Sequence, residues 1–317
     1  MSATVSRSPR QEAWRRFRRD RVAVFFLVVF VGYLVAAVLA QGVELVQGAP
    51  FTYEQSLAEL GFDVPEAAIP PSAEHPLAWW GTTSAGKSVL LRVFHGVKVA
   101  FVVGTFGAGL AVLIGMSLGL LAGYAGRWID EAVVYVYSTV ASIPYLLLML
   151  ALAFIVRQGP IAEVYRSYAF AEYVSLGLFN IVLVVGLTSW VTLCRLVRAE
   201  VKKVRQLEYV QAARALGMSD LRIVVRHILP NVFHLVIINF SLTFVTAIKS
   251  EVILTFLGVG VDKEPSWGQM IADAKSELMQ GTWWPLLAAG AALFVLTLAV
   301  NYVGDALRDA LDPRLRH

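Results

Sequence analysis

An all-α protein with about six membrane-crossing helices and both termini on the cytoplasmic side is the fold class this sequence predicts. Three observations carry the prediction. Of the 317 residues, 57% are hydrophobic and only 16% charged, at a mean hydropathy of +0.65, whereas soluble domains carry about 25% charged residues. Six apolar runs, near 22–40, 97–124, 132–156, 176–196, 234–258 and 284–304, are long enough to cross a bilayer, because about 20 residues rising about 1.5 Å each match a hydrocarbon core about 30 Å thick. Hydrocarbon offers backbone amides no partners, so such runs must be helical. The basic residues are also lopsided: with the N-terminus inside, 19 fall on the inner side and seven on the outer, and Lys and Arg are retained on the cytoplasmic face.

The N-terminal tail holds seven basic residues through Arg21. An apolar run follows without a convincing small-residue cleavage site after Ala40, so the run reads as an uncleaved first helix rather than a signal peptide. Residues 41–96 form the longest external piece, and Pro50, Pro65, Pro70, Pro71 and Pro76 prevent a long helix there. Its end, Ser88 to Ala100, carries Val89, Leu90, Val93, Phe94 and Val97 at helical spacing, which predicts a short interfacial helix feeding the second span.

Within this piece, Gly81 to Ser88 fits the phosphate-loop pattern GxxxxGK[ST]. That motif works by seating phosphates between a buried strand and a helix N-terminus. Here Pro76 and Trp79-Trp80 precede it and no β-branched run does. The match is read as a turn that aims the following helix, and no nucleotide site is assigned to it.

In the second span, Gly107, Ala111, Gly115, Gly119 and Gly123 recur every four residues. Such a stripe permits close backbone approach; static packing is favoured over a sliding contact. The third and fourth spans follow, with the single cysteine, Cys194, in the fourth, so no intrachain disulfide is possible. Eight basic residues lie from Arg195 to Arg226, the densest such stretch after the N-terminal tail. Their role is orientation rather than nucleic-acid binding.

Residues 208–231 are too polar to cross. Glu208 to Leu216 are helix formers, Gly217 is placed as a C-terminal stop, and Ser219 or Asp220 can cap a second short helix. Pro230 is expected to break the chain before the fifth span. In that span Lys249 and Glu251 are charges near mid-membrane, where each costs about 2.5 to 3.5 kcal/mol. Two residues on a helix differ by about 200°, so the two need separate partners. Lys249 either faces a translocation path, where it would meet a substrate carboxylate, or joins an interhelical ion pair; Glu251 is its companion candidate. Asn180, Asn239 and Asn301 read as makers of interhelical hydrogen bonds. His227 and His234 have no Cys or carboxylate at metal spacing, so no metal site and no catalytic residue is assigned.

The segment Gln211-Ala212-Ala213, then Gly217, then His227-Ile228-Leu229-Pro230 resembles the cytoplasmic EAA loop of integral-membrane subunits of binding-protein-dependent ABC importers. Gln211 stands where that family often has glutamate. Gly81-Thr82, Gly86-Lys87 and Leu90 to Gly96, with Phe256-Leu257-Gly258, Pro265 to Gly268 and Gly304 to Pro313, are similar to the C-type permeases of the dipeptide, oligopeptide and nickel group. Thr83, Lys87 and Ser88 depart from that group, which usually has acidic, arginine and acidic residues there.

The resemblance implies a type I importer permease fold in a bacterial inner membrane, with a transport core over 97–309, residues 1–96 preceding it and a cytoplasmic tail over 310–317. The core's coupling loop covers about 200–231, with Glu208, Gln211, Ala212, Ala213, Gly217, His227, Leu229 and Pro230 as its site residues. It implies a second, B-type permease, two ATPase subunits that bind ATP and Mg, and an external substrate-binding protein. The cargo would be di- or oligopeptides or a related small solute, and the chain itself needs no cofactor. The alternative is an ion-coupled secondary transporter, marked by inverted repeats and helices interrupted near the midplane; the sequence displays neither. A self-contained ATPase built on Gly81 to Ser88 is the other rival.

Overall fold

Apolar runs bounded by glycine, proline and hydroxyl caps become helices, and no strand is present among the described residues of the computed structural model, which are 17–47, 55–59, 67–72, 76–168 and 174–311. Most of the basic N-terminal tail, Pro50, Pro65 and the segment from Asp312 lie outside them.

The helices, in chain order, are α1 (Arg21–Gln47), α2 (Val89–Val102), α3 (Ala108–Ala125), α4 (Arg127–Ser142), α5 (Tyr145–Gln158), α6 (Pro160–Arg166), α7 (Leu176–Val204), α8 (Glu208–Ala215), α9 (Asp220–Ile223), α10 (Leu229–Phe256), α11 (Trp267–Met279) and α12 (Trp284–Leu311). Among the described residues five continuous helices are long and apolar enough to cross a membrane, and the bent pair α4–α5 makes a sixth if counted as one span.

Three expectations change. The predicted interfacial helix is not separate: α2 runs through a wide π turn, Val103–Gly107, into α3 as one 37-residue helix. The reason is that Gly104 and Gly107 let this turn press against Phe244 and Val185. The third span is not one helix. Pro144 has no N–H and pushes the preceding residue out of the α region, Ile143 is extended at φ −90°, ψ 133°, and α5 leaves α4 at 96°. An interruption the sequence did not display is therefore present. Pro230, finally, breaks nothing. It lies inside one helix that runs from Asp220 to Phe256, and the π turn over Val224–Ile228 directly before it widens the helix where the proline has no N–H to give.

The phosphate-loop-like segment is a closed turn. Thr82 and Ser88 pair as an isolated bridge, the Thr82 carbonyl accepts from Trp284 Nε1 at 2.8 Å, and Ser88 Oγ accepts from the Leu91 amide to cap α2. A 3-10 turn, Pro76–Ala78, precedes it rather than a strand.

Helix α1 lies against α12 and α2, with Phe26 stacked on Tyr302 at 4.5 Å and the Tyr33 hydroxyl donating to the Ala292 carbonyl at 3.2 Å. Trp267 of α11 is buried under α2 and donates to the Val93 carbonyl at 3.1 Å. Helices α7 and α10 run through the middle of the bundle and share in most of its apolar clusters. On α3, a Cβ added at Gly115 would lie 2.7 Å from the Trp190 carbonyl, at Gly119 2.8 Å from Val197 Cβ, and at Gly123 2.6 Å from Val201 Cβ. The glycine stripe is thus a packing seam against α7.

Candidate functional site

Two features stand out, one on an open face beside the α4–α5 break and one at the end of the bundle. The first is a cavity of about 690 Å³ at the α4–α5 break, lined by Ser142 to Tyr145, by Thr188, Ser189, Thr192 and Arg195 of α7, and by Asn239, Thr243 and Thr246 of α10. These residues sit at three- and four-residue intervals near the middle of α7 and α10, so each helix turns one polar stripe toward the pocket. The Tyr145 hydroxyl, at the start of α5, reaches both central helices, 3.1 Å from Ser189 Oγ of α7 and 3.3 Å from Ser250 Oγ of α10. Thr188 and Thr246 donate to carbonyls of their own helices at 2.8 and 2.9 Å, which leaves their oxygens as acceptors. At the break, the last carbonyls of α4 and the first amides of α5 lack intrahelical partners, so a wall of backbone polar groups joins the side-chain hydroxyls.

Lys249 lies one turn beyond Thr246. It is exposed and meets no carboxylate among the described residues. Glu251 does not face the cavity: it is buried at 2% exposure, accepts from Thr255 Oγ1 at 3.0 Å and touches Ser266 and Gly268 at the start of α11. It ties α10 to α11, and the two charges do have separate surroundings. Asn180 donates to the carbonyls of Ala153 and Val259 at 3.1 and 3.4 Å, whereas Asn239 donates within its own helix and no bond is found for Asn301.

The second feature is the hairpin after α7. Glu208 opens α8, and Val210 and Ala213 are buried against Val201, Val204, Ile223 and Ile228. Gln211 and Ala212 are exposed, and Gln211 turns back to the Gln206 carbonyl at 3.0 Å. Gly217 ends the helix at φ +79° in open space, a conformation that only glycine adopts freely. Ser219 occupies the cap position of α9 but makes no capping bond, and Asp220 instead accepts from the Tyr124 hydroxyl. His227 lies 6.1 Å from the Tyr209 ring, whose hydroxyl accepts from Asn231 at 3.0 Å. Leu229 and Pro230 form the first turn of α10. On the outer side Leu216, Leu221 and Val225 are 87%, 74% and 54% exposed, a large apolar display for a polar segment.

Charged bonds root the hairpin in the α3–α4 corner. Arg214 donates to the Tyr124 hydroxyl at 2.9 Å, which holds the guanidinium still further in its charged form, and Arg205 donates to the Tyr124 carbonyl at 2.5 Å. Asp130 accepts from Arg198 at 2.5 and 2.9 Å and from Lys202 at 2.6 Å.

The cavity residues were missed in the sequence. The signal was there as a polar stripe in α7 (Thr188, Thr192, Arg195), a second in α10 (Asn239, Thr243, Thr246) and a Ser-Ile-Pro inside an apolar run. Each alone is ordinary in membrane helices; their convergence is a property of the fold.

Residues 115–317 match the family of binding-protein-dependent transport system inner membrane components, and residues 8–65 match the N-terminal transmembrane domain of oligopeptide transport permease C. The chain is 32% identical to the dipeptide transport system permease protein DppC of Bacillus subtilis (strain 168) over 96% of its own length and 86% of the relative's. It is 30% identical to the oligopeptide transport system permease protein OppC of the same organism over 96% and 90%. To the glutathione transport system permease protein GsiD of Pectobacterium atrosepticum it is 31% identical over 98% and 93%. Among solved structures, an inward-facing form of the MetNI methionine ABC transporter is similar at a TM-score of 0.54 and 16% identity, over 71% of this chain and 96% of that one; this likeness is one of fold.

Proposed function

Because the chain belongs to the family of binding-protein-dependent transport system inner membrane components, we propose that it forms one half of a peptide path, whose cavity wall is the α4–α5 break and whose drive arrives through the hairpin at 208–231. The chain is a multi-pass inner-membrane permease subunit of an ABC importer and not itself an enzyme; ATP is hydrolysed by a separate subunit.

One observation carries the finer reading. Helix α7 extends without interruption from the polar wall at Thr188 to Arg195 down to the root of the hairpin, so one rigid rod touches both features. The exposed Leu216, Leu221 and Val225 suit a groove on an ATPase subunit, where burying such side chains stabilises a complex by about 1.5 to 3 kcal/mol each at full burial. The basic stretch from Arg195 to Arg226 favours the cytoplasm for this end, which is also where the ATP and Mg of the partner would be. Residues 97–309 act as the transport core. The remaining partners are a second permease, of B type, a second ATPase subunit and an external substrate-binding protein. Uncharged hydroxyls, backbone groups at the break and cations at Arg195 and Lys249 suit the carbonyls and carboxylate of di- or oligopeptides, without requiring any particular side chain.

The test is uptake of a radiolabelled dipeptide into proteoliposomes holding the complete complex. Uptake is expected only with ATP inside the compartment that the hairpin faces and with binding protein on the other side. Uptake driven by an ion gradient without ATP would overturn the reading.

A further inference from the structure

Helix α4 is held to α7 by a ladder of three cations on one face. Arg195, Arg198 and Lys202 recur at intervals of three and four, so they share one side of α7. Arg195 lies over the Tyr137 ring at 4.8 Å; two turns along, Arg198 and Lys202 grip Asp130 at 2.5 and 2.6 Å. The spacing from Asp130 to Tyr137 equals that from Arg195 to Lys202, so the two antiparallel helices stay in register along the ladder. The rest of α4 is held by apolar contact, with Val133, Val134 and Val140 packed half-buried on one small cluster. Tyr137 is its one buried residue, in a small cluster with Ala111, Trp190 and Cys194.

Both ends of α4 are jointed. At its start, Gly126 and the first residue of the helix, Arg127, both have positive φ, 66° and 49°, a strained corner for an arginine. After it comes the extended Ile143 and the 96° bend at the cavity.

We propose that Asp130 is the positioning residue that couples the hairpin to the cavity: α3, α7 and the hairpin are packed to move as one body, and through Arg198 and Lys202 that movement draws α4 along at the Gly126–Arg127 joint and so reshapes the break at Ile143–Pro144. This rests on the function proposed above. Asp130 touches neither the cavity nor the exposed docking patch, and its part is to make the two move together. The bonds of Arg205 and Arg214 to Tyr124 anchor the hairpin to the near side of the same corner, so the hairpin moves with α3 and α7 and the ladder makes α4 follow.

The test uses the complete reconstituted importer and measures peptide taken up per ATP hydrolysed. Wild type must first show ATP-driven uptake; its absence would defeat the proposed function rather than this linkage. Asp130→Asn is expected to lower uptake per ATP about tenfold while ATP turnover persists, and Asp130→Glu to restore most of it. Spin labels on Thr139 and Leu147, both exposed and on opposite sides of the break, are expected to report a nucleotide-dependent distance change that Asp130→Asn abolishes. If Asp130→Asn does not assemble, Lys202→Gln, at a more exposed position, carries the same measurement with an expected loss of about threefold. Uptake and ATP turnover falling together at a constant ratio, or an unchanged distance response, would overturn the linkage and leave the ladder as packing alone.

Discussion

Helix α7 meets α3 through glycines and α4 through charges, and the two contacts differ in kind. Along the first, backbone lies on backbone: Gly115, Gly119 and Gly123 bring α3 within reach of the carbonyls of Trp190, Cys194 and Arg198. There is no room for a methyl group, and interiors packed this way move as one body because separation forfeits every contact at once. Along the second, three long side chains span the gap to one carboxylate and one ring. Partly exposed ion pairs contribute about 0 to 1 kcal/mol each, and long side chains re-aim as they move. The comparison teaches that α3 and α7 form a frame and α4 is an arm hung from it, although both partners rest on the same helix.

The comparison breaks most sharply at its stiff side. Gly119→Leu places atoms where Val197 and the Cys194 carbonyl already are, and it is expected to cost about 3 kcal/mol or more, read as loss of assembled protein and early thermal unfolding in detergent. A tolerated leucine would mean that the seam is not tight. Gly217→Val comes next. Its side chain would meet open space, but φ +79° strains a branched residue by about 1 to 2 kcal/mol. Coupled ATP turnover is expected to fall about fivefold with the unfolding of the membrane region unchanged, so that a parallel loss of stability would place the glycine in the frame rather than in the drive.

Smaller effects sharpen the boundary between frame and cavity. Asn180→Leu removes the bonds from α7 to the Ala153 and Val259 carbonyls and is expected to cost about 1 kcal/mol, seen as a modest drop in midpoint without a change in uptake per ATP. Lys249→Met is expected to leave stability alone and weaken peptide uptake by a few fold at low concentration, on the scale of one exposed charge contact; unchanged uptake would remove Lys249 from the path. Lys87→Ala should change ATP turnover by nothing measurable, since the loop around it is a capped turn. A loss of nucleotide-dependent activity there would revive the phosphate-loop reading.

Much of this was legible along the chain. Apolar length set the number and order of the spans, because hydrocarbon leaves a backbone no choice but helix. The glycine period in α3 announced a close seam, and Gly217 marked the hairpin stop. Less legible were the joins. Pro144 and Pro230 look alike as letters, yet the residue before Pro144 turns extended and the span breaks, whereas the helix runs on through Pro230 after a widened turn. The wide turns at Val103–Gly107 and Val224–Ile228 have no local signature.

By itself, then, the sequence determined the class of solvent, the helices and the polar hairpin, all of which follow from short-range chemistry between neighbouring residues and their surroundings. Packing across the bundle set the rest: Glu251 turns from the cavity to α11, hydroxyls from four helices meet at one break, and Asp130 reaches two cations some 70 positions away. Those outcomes depend on how the helices are rotated against one another, and rotation is set by packing across the whole bundle rather than by any one segment.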